Sequence, residues 1–478
     1  MEVPLPGGTL NSRFFPAVTL CLALATSARA QMPPMPGMDQ PPPTSPAPPP
    51  GASPSRNASP MPGMSIDMDM PGMAGMRLMQ QMHPRNFLEE IQHHATAGTS
   101  AEPNSTPTPM VMGMRGPWMV MLHGNAFVAD IQQSGARGAD KFFSANWLMP
   151  MAERELGPGQ LTLRAMFSAE PATITGRQYP LLFQQGETAY GKAIVDGQHP
   201  HDFFMELAAL YDWHASERTL VSLYIAPVGD PALGPTAYPH RASAGENPVA
   251  TLGHHQEDST HIAGDVVTLG VAHGNARVEA SGFHGREPNE SHWTIQQGAM
   301  DSWSLRATVQ PGSNWSGQLS YGRLHSPEAL FPAQDQARTT ASAMYNRPIA
   351  RGGDWGNWAS TVVWGRTRDS DGGKENSYLL ESTLRFARKN SVWTRIENAG
   401  RSNELQLGER VLPAGFAEGP LTHVQAYTFG FDRDLGFVPH TSTALGTQVT
   451  AYGAGAPLQA VYGKRPVGAV VFLRLRVF

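Results

Sequence analysis

Leu161-Thr162-Leu163-Arg164-Ala165-Met166-Phe167-Ser168 sets the period of this chain: Leu161, Leu163, Ala165 and Phe167 fall on one side, and Thr162, Arg164, Met166 and Ser168 on the other. A period of two belongs to an extended strand, whose side chains alternate between faces. The same period recurs further along. Trp303, Leu305, Ala307 and Val309 alternate with Ser304, Arg306 and Thr308. Tyr378, Leu380, Leu384 and Phe386 alternate with Glu381, Thr383 and Arg385, and Val471, Leu473, Leu475 and Val477 with Arg474 and Arg476. Such runs, about 9–13 residues long, exceed the usual globular strand and match one that crosses a bilayer. Aromatic residues gather near the strand ends (Trp118, Trp147, Trp213, Trp303, Trp315, Trp358 and Trp393), as interfacial girdles require.

The spacing predicts strands near 117–131, 140–152, 159–169, 202–213, 218–226, 264–273, 276–284, 300–310, 314–322, 338–347, 357–367, 376–387, 391–400, 422–433, 440–452 and 466–478. That number, about 16, is even. Short connections alternate with long ones at 170–201, 227–263, 285–299, 323–337, 401–421 and 453–465. Short periplasmic turns opposite long outer loops are the asymmetry of outer-membrane barrels. The expected fold is therefore all-β: an antiparallel transmembrane β-barrel over 116–478, in the outer membrane of a Gram-negative bacterium. Outer-membrane lipid and the barrel-assembly machinery are its expected partners. The terminal Phe478 fits an assembly signal, although it shares the phase of Arg474 and Arg476.

Composition removes other classes. The chain has 478 residues, 16% of them charged, with a net charge of −5 and a mean hydropathy of −0.31. It contains no apolar run of about 18 residues, so helical spans are excluded. The charge balance speaks against a nucleic-acid binder. Residues 1–30 read as a signal peptide, with Arg13 before an apolar stretch and Ala28-Arg29-Ala30 as the cleavage site. The single cysteine, Cys21, lies within it, which leaves the mature chain without thiolate chemistry.

Residues 31–115 read as a disordered segment and linker, with the N-terminal tail in the periplasm. The part up to Met82 is crowded with proline and methionine, a composition that builds no packed core. Its methionines are regularly placed. Met35 and Met38, Met61 and Met64, and then Met70, Met73, Met76, Met79 and Met82 are spaced by three. Thioethers are soft ligands that select Cu(I). Copper capture from periplasmic copper proteins and low-complexity drift both account for the pattern. A short amphipathic turn is expected at Asn86–His94, and linker over Ala95–Pro109.

Gly-Arg-Gln-Tyr-Pro at 176–180, Gly-Glu-Thr-Ala-Tyr-Gly-Lys at 186–192, Asp-Gly-Gln-His-Pro-His-Asp at 196–202, Gly-His-His-Gln-Glu-Asp-Ser-Thr-His at 253–261 and Gly-Phe-His-Gly-Arg-Glu-Pro at 282–288 resemble a family of uncharacterised bacterial outer-membrane β-barrel proteins. The resemblance covers most of 85–478. The overall layout of signal peptide, Met-rich segment and C-terminal barrel is similar to copper-resistance B outer-membrane proteins. That similarity implies a copper role.

Histidines and carboxylates concentrate where strands meet the long loops. Residues 196–202 offer Asp196, His199, His201 and Asp202, with His199 and His201 on one side of an extended chain. Residues 254–261 offer His254, His255, Glu257, Asp258 and His261, and His284 and Glu287 follow, with His240 in the same large loop as the second group. Neutral imidazoles with one or two carboxylates suit zinc or Cu(II). The competing reading is a hydrogen-bonded network that seals the barrel mouth. Asp202, His201, His255 and Ser259 are the candidates for a rim hydrolase, without a Gly-x-Ser-x-Gly signal. By alternation, Arg164, Glu206, Arg277, Glu279, Arg306, Glu381, Arg385, Arg395, Glu397, Arg474 and Arg476 point inward, as a lattice of ion pairs or a solute path. Three functions follow: copper handling with the tail as capture site, a porin-like channel for small polar solutes, or a rim hydrolase.

Overall fold

The computed structural model describes residues 84–258, 263–351, 354–408, 410–437 and 441–477. Among them, sixteen antiparallel strands close into a barrel. They are β1 (Trp118–Gln133), β2 (Asp140–Leu156), β3 (Gly159–Phe167), β4 (Phe204–Ser216), β5 (Thr219–Gly229), β6 (Ala263–His273), β7 (Ala276–His284) and β8 (Ser302–Gly312). There follow β9 (Trp315–Leu324), β10 (Gln336–Arg351), β11 (Asp354–Asp369), β12 (Lys374–Phe386), β13 (Asn390–Ser402), β14 (Pro420–Asp434), β15 (Thr441–Ala454) and β16 (Val467–Val477). Each strand pairs with its neighbour in sequence, and β1 pairs with β16 from Gly124↔Val477 to Gln133↔Gly468. Closure leaves no strand edge bare in lipid, which is what lets a sheet span a membrane. A short strand, Val111–Arg115, turns back on β1 and takes over its edge where β16 ends.

The wall is inside out relative to a soluble sandwich. On β8, Ser304 and Arg306 are 1% and 3% exposed, whereas Leu305 and Val309 are 48% and 49% exposed. Leu269, Val278 and Leu319 continue this outward apolar band on neighbouring strands. An apolar exterior around a polar interior is the arrangement a bilayer selects. Every strand forecast from the period is present with matching order, and the long connections share one end.

The inward charges pair as the alternation implies. Arg164 meets Glu206 at 2.6 Å, Arg306 meets Glu279 at 2.9 Å and Arg395 meets Glu381 at 3.3 Å. Desolvated charges of this kind persist only when paired and hydrogen-bonded.

One expectation fails. Within the stretch 95–109, residues 95–105 are not a free linker: they are built into the bore. Helix α1 (Phe87–His93) is capped by Asn86, whose side chain accepts from the Leu88 and Glu89 N–H groups. It buries Phe87, Leu88 and Ile91 against Leu220 and Ala272 of the inner wall. The composition suggested a linker because the segment lacks periodic apolar residues. Its order comes instead from the polar wall that surrounds it.

Candidate functional site

The bore holds part of the β3–β4 connection, whose Tyr179, Leu181 and Phe183 pack on inward wall residues such as Phe143 and Tyr452, and two further segments of the chain. The first is residues 94–105, held mostly through its main chain. Arg164 donates to the His94 and Gly98 carbonyls, and Glu206 accepts from the Gly98 N–H at 2.9 Å. Arg277 donates to the Thr99 carbonyl, Ser316 to the Ala101 carbonyl and Gln310 to the Glu102 carbonyl. Ser105 exchanges bonds with Asn346 of β10. The segment thus follows the inner wall from β3 to β10. His94 Nε2 also lies 2.6 Å from Asp212. Gly98 has φ +63°, and a Cβ there would lie 2.7 Å from the Asp230 Cβ, so this passage requires glycine.

The second segment is the connection between β5 and β6. Arg241 reaches Glu381 at 2.7 Å, and Ser243 bonds Thr361 and Thr383. Glu246 lies against Arg474 and Arg476. Farther on, Glu397 accepts from the Leu252 N–H at 2.5 Å, and Arg395 donates to the Val249 carbonyl. These contacts run from β11 and β12 to β13 and β16. The lattice forecast for the lumen exists, but much of it binds inserted chain rather than its own wall.

A histidine–carboxylate group lies where the long connections meet. Glu187 sits on a hairpin, Glu187–Ala189 with Lys192–Ile194, whose turn residues Tyr190 and Gly191 both have positive φ. Such a turn matches the strand twist of a tight hairpin. Glu290 accepts from both turn N–H groups. His254 and His255 come from helix α2 (His254–Glu257), and His199 from the end of the β3–β4 connection. Glu187 Oε1 lies 3.2 Å from His255 Nε2, 3.5 Å from His199 Nε2 and 3.6 Å from His254 Nε2. Ligand atoms of Glu187, His254 and His255 all fall within 4.8 Å of one another. Two ligands about 2.0–2.2 Å from one tetrahedral ion lie ~3.4 Å apart, so these separations fit a shared zinc or Cu(II).

The surroundings prepare the donors. His254 Nδ1 lies 2.8 Å from the Thr251 carbonyl, a contact that orients the ring with Nε2 toward Glu187. Burial, helped by His254, pushes His255 down to about 3, so its ring is neutral. Burial opposes ionisation of Glu187, but His199 and hydrogen bonds from His254 and His255 outweigh it and hold the carboxyl well below the usual range. Neutral imidazole and ionised carboxylate are the states a cation needs. The same contacts also tie three connections together, as the sealing network would.

The forecast candidates divide. His199, His254 and His255 converge. His201 does not join them: its Nδ1 lies 2.9 Å from Glu170. Glu257 accepts from Ser377 at 2.5 Å, Asp258 faces Arg241 at 3.9 Å, and His284 contacts the Ala299 carbonyl and Arg286. Met35, Met38, Met61, Met64, Met70, Met73, Met76, Met79, Met82, His261 and Ser259 lie outside the described residues. Of the hydrolase candidates, Asp202 binds His292 at 2.6 Å, and Ser259 is among the residues not described. Glu187, Glu170 and His292 escaped the sequence reading. Glu187 stands in the quoted 186–192 motif, and its nearness to His199 in sequence was the available signal.

No protein-family model matches the chain, and no curated protein matches it in sequence. Among solved structures, the anion-selective porin from Comamonas acidovorans is 12% identical, covering 75% of this chain and 99% of the porin with a TM-score of 0.43. OmpF of Salmonella typhi, in complex with daunomycin, is 9% identical over 76% of this chain and 100% of its own, with a TM-score of 0.45. OprB of Pseudomonas putida is 8% identical over 76% and 94%, with a TM-score of 0.46. Likeness of this degree assigns no activity.

Proposed function

We propose that this chain is a porin-like channel of the outer membrane for small polar solutes, held shut by residues 94–105 and the β5–β6 connection. The observation that carries the reading is a bore lined by paired charges, in which residues 94–105 are anchored to the wall by hydrogen bonds, while the β5–β6 connection adds Val249, Ala250 and Leu252 to an apolar cluster with Tyr179, Phe183, Trp393 and Phe472. The hydrogen bonds that hold residues 94–105 exchange for water when that segment leaves, so its release costs less than unpacking the apolar cluster that holds the β5–β6 connection. At the long-loop end, Glu328, Asp369, Glu375 and Glu418 outnumber Arg338 and Arg401 around one small cavity. That excess of acid favours entry of cations. The test is conductance in planar bilayers for the full chain and for a chain lacking 84–110 in which residues 236–252 of the β5–β6 connection are replaced by a short Gly/Ser link. The full chain should be quiet, and the shortened chain should show steady, cation-preferring openings. Equal silence from both, with barrels intact, would overturn the channel in favour of a closed binding protein.

Metal handling is the second reading, supported by the convergence of Glu187, His199, His254 and His255. In it the Met-rich tail would capture copper from periplasmic copper proteins.

A further inference from the structure

The inward face of β1 to β3 carries an unusual lining. Met119, Met121, Met149, Met151 and Met166 are all buried in one cluster with Met205. A water-facing barrel wall has no general need for thioethers at successive inward positions, where polar side chains serve. Two histidines enter this cluster. His123 stands opposite Met149 in the β1–β2 register, and its Nε2 lies 3.1 Å from the Met149 sulfur. His240, carried by the inserted β5–β6 connection, places its Nε2 3.3 Å from the Met166 sulfur. The two imidazole centroids are 5.9 Å apart. Trp147 packs against both, at 5.2 Å from His123 and 4.5 Å from His240.

We propose that His123, Met149, Met166 and His240, beside Trp147, form a binding site for a soft monovalent cation of the Cu(I) and Ag(I) class. Thioether and imidazole donors are the soft and borderline ligands that select Cu(I). Ligands about 2.0 and 2.3 Å from one ion lie roughly 3–3.5 Å apart, which matches both nitrogen–sulfur separations. The donor set is neutral. Burial, with His123 and Arg164 nearby, keeps His240 well below the ordinary histidine range and so uncharged. A buried neutral set cannot offset the desolvation of a divalent ion as it can that of a monovalent one. The indole beside the pair adds a π face for a cation. Access exists on both sides of His240: a cavity of about 350 Å³ bordered by His123 and Trp147, and a smaller one bordered by Met166, Met205 and His201. Because His240 belongs to an inserted segment, an ion here would also fasten that segment to the wall.

This site is distinct from the tail methionines and from the Glu187 group, and it stands whether or not the channel opens. It is tested on the full chain in detergent, titrated with Ag(I) and, under reducing conditions, with Cu(I) against a competing chelator. Wild type should bind one more ion than a Met149→Leu/Met166→Leu double variant, with the tail present in both. Occupancy should quench a component of tryptophan emission that Trp147→Phe lacks. The double variant should lose at least tenfold in affinity at that site while keeping the heat-modifiable mobility of a folded barrel. If it does not fold, His240→Phe is read in the same way. Equal stoichiometry and equal quenching in wild type and a folded variant would overturn the proposal and leave a methionine–aromatic packing cluster.

Discussion

Buried carboxyls, Asp230 and Glu257 foremost, give the inserted β5–β6 connection a pH dependence. Burial pushes Glu257 up to about 8 from 4.5, and Glu397 and Asp258 act in the same direction, against Ser377 and Arg241. The folded protein therefore holds a proton that the unfolded chain releases between those values. Where the native state binds more protons, stability falls as pH rises. The connection should be tightest near pH 5, loosen progressively to about pH 8, and change little above. Limited proteolysis at pH 5, 7 and 9 measures this, and Glu257→Gln should reduce the slope, with Asp230 supplying the remainder; an unchanged slope would remove Glu257 as a cause. Glu187 acts with the opposite sign. Its lowered range contributes stability above the normal carboxylate value that is lost on acidification. Glu187→Gln, which removes a charged donor, should weaken Zn(II) or Cu(II) binding at its histidine group by at least about tenfold, the loss that even an outer-shell partner causes, read by calorimetry. Unaltered binding would reduce that group to a loop seal.

Among the elements, the strands were legible and the inserted segments were not, for one physical reason. A lipid-facing strand must be apolar on one face along its whole length, so Leu305, Ala307 and Val309 announce β8. The bore segment at 94–105 answers to no such rule. The wall grips the carbonyls of His94, Gly98, Thr99, Ala101 and Glu102, groups that every residue carries. Likewise the histidine-rich stretches were visible, but their partners were not. His199 and His201 are neighbours in sequence and still bind different carboxylates, because loop conformation, not spacing, decides which group each meets. Met166 is the counterexample: an apolar residue in the polar phase of 161–168 already marked something other than water on the inner wall. Gly98 is the point at which sequence does control the segment. Gly98→Val would force a side chain in the left-handed region into Asp230. The barrel should stay folded while the segment is displaced, and bilayer recordings should show openings absent from wild type. A variant as silent as wild type would mean the segment tolerates the displacement without leaving the bore.

At the scale of the molecule, the decisive property is which side of the wall faces oil. Leu319 is 58% exposed near the middle of β9, with a polar inward neighbour, Ser320, bonded to Thr340 and Gly234. For a soluble barrel, Leu319→Arg would be neutral or would improve solubility. For a barrel in a bilayer, a lipid-facing arginine near the midplane costs ~2–4 kcal/mol. The variant should therefore unfold from lipid vesicles at a distinctly lower urea concentration than wild type. Val411→Arg, an equally apolar-to-charged change at a position 70% exposed in the β13–β14 connection, should leave the transition where it was. The pair separates a cost of burying charge in hydrocarbon from any general cost of adding it. Equal transitions for both variants would mean that β9 does not face lipid, and the inside-out pattern of the wall would need another cause.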